Sequence, residues 1–484
     1  MRNLTLLTDL YELTMMQAYL QQEKTTGHRQ LAVFDMFYRE NPCGNGYAVA
    51  AGLQQVIDYI NNLAFTNEQL TYLASTGMFA ADFLKYLQSF SFSGEIYAVP
   101  EGTVIFPGEP ILRVTAPIME GQLIETAILN IINHQSLIAT KSARVCWAAS
   151  GDNVLEFGLR RAQGPDAGVY GARAAMIGGC SGTSNVLAGQ LFNIPVRGTH
   201  AHSWIMSFDT ELEAFRCYAN LYPNACVLLV DTYDTLRSGV PNAIKIFEEM
   251  RATGLLQKNY GIRLDSGDLA YLSKQARIML DAAGFQDAFI SASNDLDEHL
   301  IAELKSQGAK ITVWGVGTHL ITSKEYPAFG GVYKIAAISK DGQNWQNKIK
   351  LSEDPVKVTT PGRKKIFRLY NKQNGKMKAD LLALADETLT NQADLTIFDP
   401  IATWKRMTLP AGEFTVRELL QPVFIEGKCV YPTLTVDEIC AYAAAERDTL
   451  WDEHKRLIRP QLMPVDLSQK LYNLKQQMIN ESRA

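Results

Sequence analysis

Apolar positions along the chain fall into three regimes. Over residues 9–22, Leu10, Leu13, Met16 and Leu20 recur at helical spacing, with Asp9 in capping position and Glu12 three residues on, which predicts a helix. Leu31–Tyr38 reads as a strand, Asn41–Gly46 as a turn, and two or three helices follow to about Phe90. Between 94 and 116 the pattern changes to short strands broken by Pro and Gly: Gly94–Pro100, Thr103–Phe106 and Ile111–Thr115. This predicts a small, mostly β unit that completes an N-terminal α/β domain.

From about 119 a long helix runs toward Trp147, and then a rhythm sets in. Short apolar runs end in polar residues and are separated by helical stretches. Asn153–Phe157 leads to Arg160 and Arg161, and Ile194–Val196 to Arg197, Thr199, His200 and His202. Cys226–Val230 leads to Asp231 and Asp234, and Gly261–Leu264 to Asp265 and Asp268. Ala288–Ile290 leads to Ser293, Asn294 and Asp295, and Ile311–Trp314 to Gly315, Gly317, Thr318 and His319. Val332–Ile338 is a further strand. Apolar strands alternating with helices predict parallel strands buried on both faces. About seven repeats favour a β/α barrel, of irregular form, whose polar strand ends share one rim; an open doubly wound sheet would gather them at its carboxyl edge. Beyond 345 the rhythm stops. Segments 348–355 and 361–365 read as surface loops, 366–430 as strands and turns, and 436–484 as mainly helix. The expected fold is α/β, with an N-terminal α/β domain (1–120), an irregular β/α barrel (121–345) and a C-terminal region (346–484) packing on both.

Composition bounds the function. The chain has 484 residues, a formal net charge of −5 and 47% hydrophobic residues, which is globular and excludes nucleic-acid binding by bulk charge. Any phosphate site must be local. Seven cysteines, none in a C-x-x-C pair, suit reduced cytoplasmic thiols. The N-terminus is not that of a signal peptide, and no stretch approaches the ~18 apolar residues of a membrane span.

The rim residues carry the chemistry. His200 and His202 are open to three readings: metal chelation, a structural rim role, or nucleophilic and acid–base work. Arg263 offers a planar fork for a carboxylate or phosphate. Asp265 and Asp268 could hold Mg²⁺ or ribose hydroxyls, or Asp268 could cap the next helix. Gly315, Gly317 and Thr318 form a glycine loop of the kind that lets backbone N–H groups approach a phosphate. Phe157 beside Arg160 and Arg161 suits a planar anionic ring, with core packing as the plainer alternative. The small polar segment Gly178–Ser184 reads equally as a turn or a close-approach loop.

Five segments in register resemble nicotinate phosphoribosyltransferases: Leu7–Met15, Phe157–Arg161, Gly198–Ser203, Arg263–Asp268 and Gly315–Thr318. The resemblance implies an ATP-coupled, ligase-type transfer. Nicotinate and 5-phosphoribosyl 1-diphosphate give nicotinate mononucleotide and diphosphate in NAD salvage, with Mg²⁺ as cofactor and ATP as co-substrate. It implies a homodimer with shared active sites. By position it makes His202 the phosphorylated histidine and Asp265 a second catalytic residue. Tyr11, Phe157, Thr199, Arg263 and Ser184 become nicotinate-site residues, Tyr11 coming from the other subunit. Arg160, Asn294, Gly315, Gly317 and Thr318 become phosphoribosyl diphosphate contacts. Where a nicotinamide-using relative carries an aspartate, this chain has Ser184, which favours the acid. The rivals are the same fold acting on nicotinamide or quinolinate, and a non-catalytic nucleotide-sensing barrel.

Overall fold

The structure, a computed structural model, describes residues 3–354 and 357–482 and divides into two compact units. Pro355, at the end of one expected surface loop, and the chain's extreme residues lie outside the described residues. One unit is continuous, Ile138–Pro327; the other is built from both ends of the sequence, Met1–Leu137 and Ala328–Ala484. The division falls inside the helix Glu125–Ala149. The single helix expected from about 119 is two, Ile118–Leu123 and Glu125–Ala149.

The continuous unit holds the expected parallel sheet. Six strands lie in the order Gly182–Thr183, Asn153–Glu156, Val313–Val316, Phe289–Ala292, Tyr260–Leu264, Cys226–Leu229. All neighbours are parallel. Cys226, Val227, Leu228 and Leu229 are all buried in succession, as a strand covered on both faces requires. The sheet is an incomplete barrel. The expected strand Ile194–Val196 is reduced to one bridge, Val196 to Thr183. Helices follow each strand, so the strand carboxyl ends share one rim.

The expected strand Val332–Ile338 is a correction to the barrel. It forms as Gly331–Ser339, but pairs antiparallel with Leu31–Tyr38 and so belongs to the other unit. There a seven-stranded sheet has Leu31–Tyr38 near its middle, between Gly331–Ser339 and Leu112–Pro117. The C-terminal region is woven into the N-terminal domain. Strand Gln421–Ile425 pairs with Glu95–Ala98. Lys364, expected in a surface loop, starts the strand Lys364–Asn371 and is buried with its Nζ 2.6 Å from Asp35 Oδ2. Arg368 is fully buried, its guanidinium 2.6 Å from Asp380 and 3.1 Å from Glu446. These buried pairs hold one arrangement in place, because either partner alone would be an uncompensated charge.

The first helix is Leu10–Thr26. Asp9 occupies its N-cap, yet its side chain makes no capping bond and instead accepts from Thr126 Oγ1 at 2.9 Å. Among the described residues no helix is long and apolar enough to cross a membrane.

Candidate active site

At the carboxyl rim of the parallel sheet lies a depression of about 370 Å³. Its lining includes Phe157, Arg160, Ser184, Thr199, His202, Arg263, Asp265, Asn294, Gly315, Gly317 and Thr318. Residues that sequence spreads over some 160 positions thus meet in one place, because they lie at the carboxyl ends of strands of one sheet or, for Thr199 and His202, just after the bridge at Val196.

Arg263 organises the floor. Its Nε donates to Ser293 Oγ at 2.9 Å, its Nη1 to Thr199 Oγ1 at 2.8 Å, and its Nη2 to Asp265 Oδ1 at 3.1 Å. Burial alone would raise the Asp265 carboxyl. The Ser293 hydroxyl and the Arg263 guanidinium outweigh it and hold the group below the usual carboxylate range. Asp265 is therefore an anion facing the depression. Its backbone N–H donates to Asp231 Oδ2 at 2.9 Å, and Ser266 Oγ donates to the same oxygen at 2.6 Å.

His202 opens the short helix His202–Met206. Its Nδ1 lies 3.1 Å from Thr232 Oγ1, and its Nε2 faces Asp265 Oδ2 at 3.7 Å. His200 is a different kind of histidine. It is buried edge-on against Tyr218, and burial pushes its imidazole down to about 4, so it is neutral near pH 7.

Phe157 leaves its strand beside the glycine loop, its N–H donating to Val316 O at 2.9 Å. Beneath it Glu156 is buried and accepts from Gly158 N and, at 2.6 Å, from Thr183 Oγ1. Burial holds the Glu156 carboxyl above its ordinary value. Ser184 follows, uncharged and half-buried, its N–H donating to Glu156 O at 3.0 Å. Asn294 and Asp295 both have positive φ, 92° and 44°, in the region where Asn and Asp are the best tolerated non-glycine residues.

Two expected residues are not in this lining. Asp268 caps the helix Leu269–Ala282, accepting from Tyr271 N at 2.9 Å. Tyr11 lies in the other unit with its side chain exposed; burial of the hydroxyl and the nearby Glu125 raise it to about 12. The residues that sequence reasoning left without a role are Ser293, Thr232, Asp231 and Glu156. The first three stood at strand ends, and that position was the available signal. Glu156 sits inside an apolar run, where a lone carboxylate is itself a signal.

Three family models match: the nicotinate phosphoribosyltransferase N-terminal domain over residues 6–133, the family's central model over 153–372, and the C-terminal domain over 363–475. The chain belongs to the nicotinate phosphoribosyltransferase family. It is 48% identical to the nicotinate phosphoribosyltransferase of Bacillus subtilis, covering 100% of this chain and 96% of that one. It is 33% identical to the human protein of the same name, covering 97% and 95%. The crystal structure of human nicotinic acid phosphoribosyltransferase superimposes with a TM-score of 0.83 at 30% identity, covering 97% of this chain and 99% of that one. A nicotinate-nucleotide pyrophosphorylase from Pyrococcus furiosus shares the fold, with a TM-score of 0.68 at 22% identity over 91% and 94%. The family's C-terminal model covers residues 363–475, beyond the last of the five resembling segments.

Proposed function

We propose that the depression transfers the phosphoribosyl group of 5-phosphoribosyl 1-diphosphate to the ring nitrogen of nicotinate. The products are nicotinate mononucleotide and diphosphate, and the place of the reaction is NAD salvage. The observation that carries this reading is the convergence of Phe157, Thr199, Arg263, Asp265 and Thr318 on one rim, in a chain of this family.

Each residue has a part that its surroundings support. Phe157 offers a ring face, and Thr199 and Arg263 offer donors suited to the nicotinate carboxylate. Ser184 keeps the nearby wall free of negative charge. Asp265, held ionised, stabilises the positive charge that grows on the ribosyl carbon as diphosphate leaves. Arg160, Asn294, Gly315, Gly317 and Thr318 take the phosphates; Arg160 has no ion-pair partner among the described residues.

Magnesium fits the donor set. Asp265 and Asp231 are hard carboxylates, and Asp231 Oδ1 is buried without a partner among the described residues. Those two residues would hold the ion. Asp268 is committed to its helix. The ion would supply charge neutralisation for the departing diphosphate.

ATP hydrolysis enters, in our reading, as an ATP-dependent ligase-type coupling at His202. A histidine nitrogen displaces ADP from the terminal phosphorus of ATP, and later loses the phosphoryl group to water. The imidazole is held by Thr232 and sits against Asp265, so a phosphoryl group there adds negative charge at the site and shifts substrate affinity. A homodimer with shared sites is supported by exposed apolar side chains at Leu7, Leu10 and Tyr11, and at Val186, Leu187 and Leu191 of the helix Val186–Phe192. Seven free cysteines suit the cytoplasm.

The deciding experiment offers nicotinate or nicotinamide with phosphoribosyl diphosphate and Mg²⁺, with and without ATP. Nicotinate mononucleotide formed faster with ATP is expected. Product from nicotinamide alone would overturn the assignment of Ser184, and no product from either would return the sensor reading.

A further inference from the structure

The turn that carries Thr318 is one helical turn long, Thr318–Ile321. One turn does not hold itself, since nucleation costs more than its few bonds return. Leu320 and Ile321 are fully buried and anchor its inner side. The polar anchor is His319. Its Nδ1 lies 2.7 Å from Glu325 Oε1 and 3.8 Å from Asp297 Oδ2. Glu325 is held in turn, its Oε2 2.5 Å from the Nζ of Lys141, which is 1% exposed. Lys141 reaches Glu298 at 2.7 Å, and Glu298 reaches Arg144 at 2.8 Å. Asp297 caps the helix Glu298–Ser306, accepting from Leu300 N at 2.7 Å. The three acid and imidazole groups cluster tightly enough for a cation. Lys141 already supplies one, so the cluster is a tie.

We propose that His319 is a positioning residue. Its imidazole fastens the loop Gly315–Thr318 to the neighbouring rim loop, which carries Asn294 and Asp295, and to the buried Lys141–Glu298–Arg144 chain. Both loops line the depression. With the tie intact, the two loops present one fixed cradle. Without it, each samples positions of its own, and binding must restore order at a cost. The inference rests on the reading of Gly315–Thr318 as a phosphoribosyl diphosphate site.

The test measures both Michaelis constants in His319→Ala, Glu325→Gln, His319→Asn and Thr318→Ala. The first two are expected to raise KM for phosphoribosyl diphosphate about fivefold to tenfold, with KM for nicotinate and kcat within about twofold. His319→Asn keeps an N–H near the Nδ1 position and is expected to recover most of the loss. A general folding defect would move both KM values and kcat together, and that result overturns the inference. If Thr318→Ala raises KM for phosphoribosyl diphosphate while His319→Ala does not, the tie fails and the loop assignment stands. If Thr318→Ala leaves it unchanged, the loop assignment fails and the inference with it.

Discussion

Gly315 is the residue that makes room for Phe157. A Cβ at position 315 would stand 2.6 Å from Cδ2 of the Phe157 ring, inside any real contact distance. The ring lies against bare backbone of the neighbouring strand and lines the depression. Gly315→Ala must displace the ring, at an overpacking cost of about 1–3 kcal/mol. The expected result is a rise in KM for nicotinate of about tenfold with a correctly folded protein. An unchanged KM would show that the ring does not meet the substrate.

Replacing Ser184 tests acid selectivity. On the proposed assignment, a carboxylate at this position would face the carboxylate of nicotinate across the depression that Ser184 lines, where repulsion is stronger than in water. Ser184→Asp is expected to weaken nicotinate at least about tenfold, and to do so less at high salt. Unchanged nicotinate KM would place Ser184 away from the ring.

His202→Ala separates chemistry from coupling. Transfer without ATP is expected to persist, while stimulation by ATP and the acid-labile phosphoprotein both disappear. Full stimulation by ATP in that variant would move the phosphorylation elsewhere.

Glu12 gives a pH signature of stability. It is buried on the first helix, and burial raises its carboxyl to about 7 despite bonds from Thr8 and Thr126. The folded state therefore holds its proton longer than the unfolded state does. The contribution is fully present below the unfolded value near 4.5 and is lost as pH rises toward 7, on the order of 2 kcal/mol. Thermal unfolding from pH 5 to 8 should show a smaller fall in Glu12→Gln than in the parent. Equal falls would remove Glu12 as the cause.

The parallel sheet was legible because strands buried on both faces have no polar side to hide. Their apolar runs and polar ends follow from that geometry. The same signal misled at Gly331–Ser339, where an apolar strand in an antiparallel sheet looks like another barrel strand. Lys364 was read as a loop residue because its partner, Asp35, stands more than three hundred positions away. Most of the depression's lining was legible for the reason that the strands were. Ser293, Thr232 and Asp231 had no visible role, since each acts by bonding to a residue from another strand end about thirty positions away. His200 and His202 are two residues apart and both line the depression, yet only the backbone path separates a neutral buried imidazole from a half-exposed one set against Asp265.

The strand Leu31–Tyr38 has a consequence for how the chain is made. One neighbour, Leu112–Pro117, leaves the ribosome soon after it. The other, Gly331–Ser339, is synthesised only after the whole unit Ile138–Pro327. At ordinary elongation rates that wait is roughly 15 to 60 s. Through it one edge of the strand has no partner, and the continuous unit is itself complete only at Pro327, a few residues before that partner is made. The sheet built from both ends of the chain therefore closes only after synthesis has passed the continuous unit.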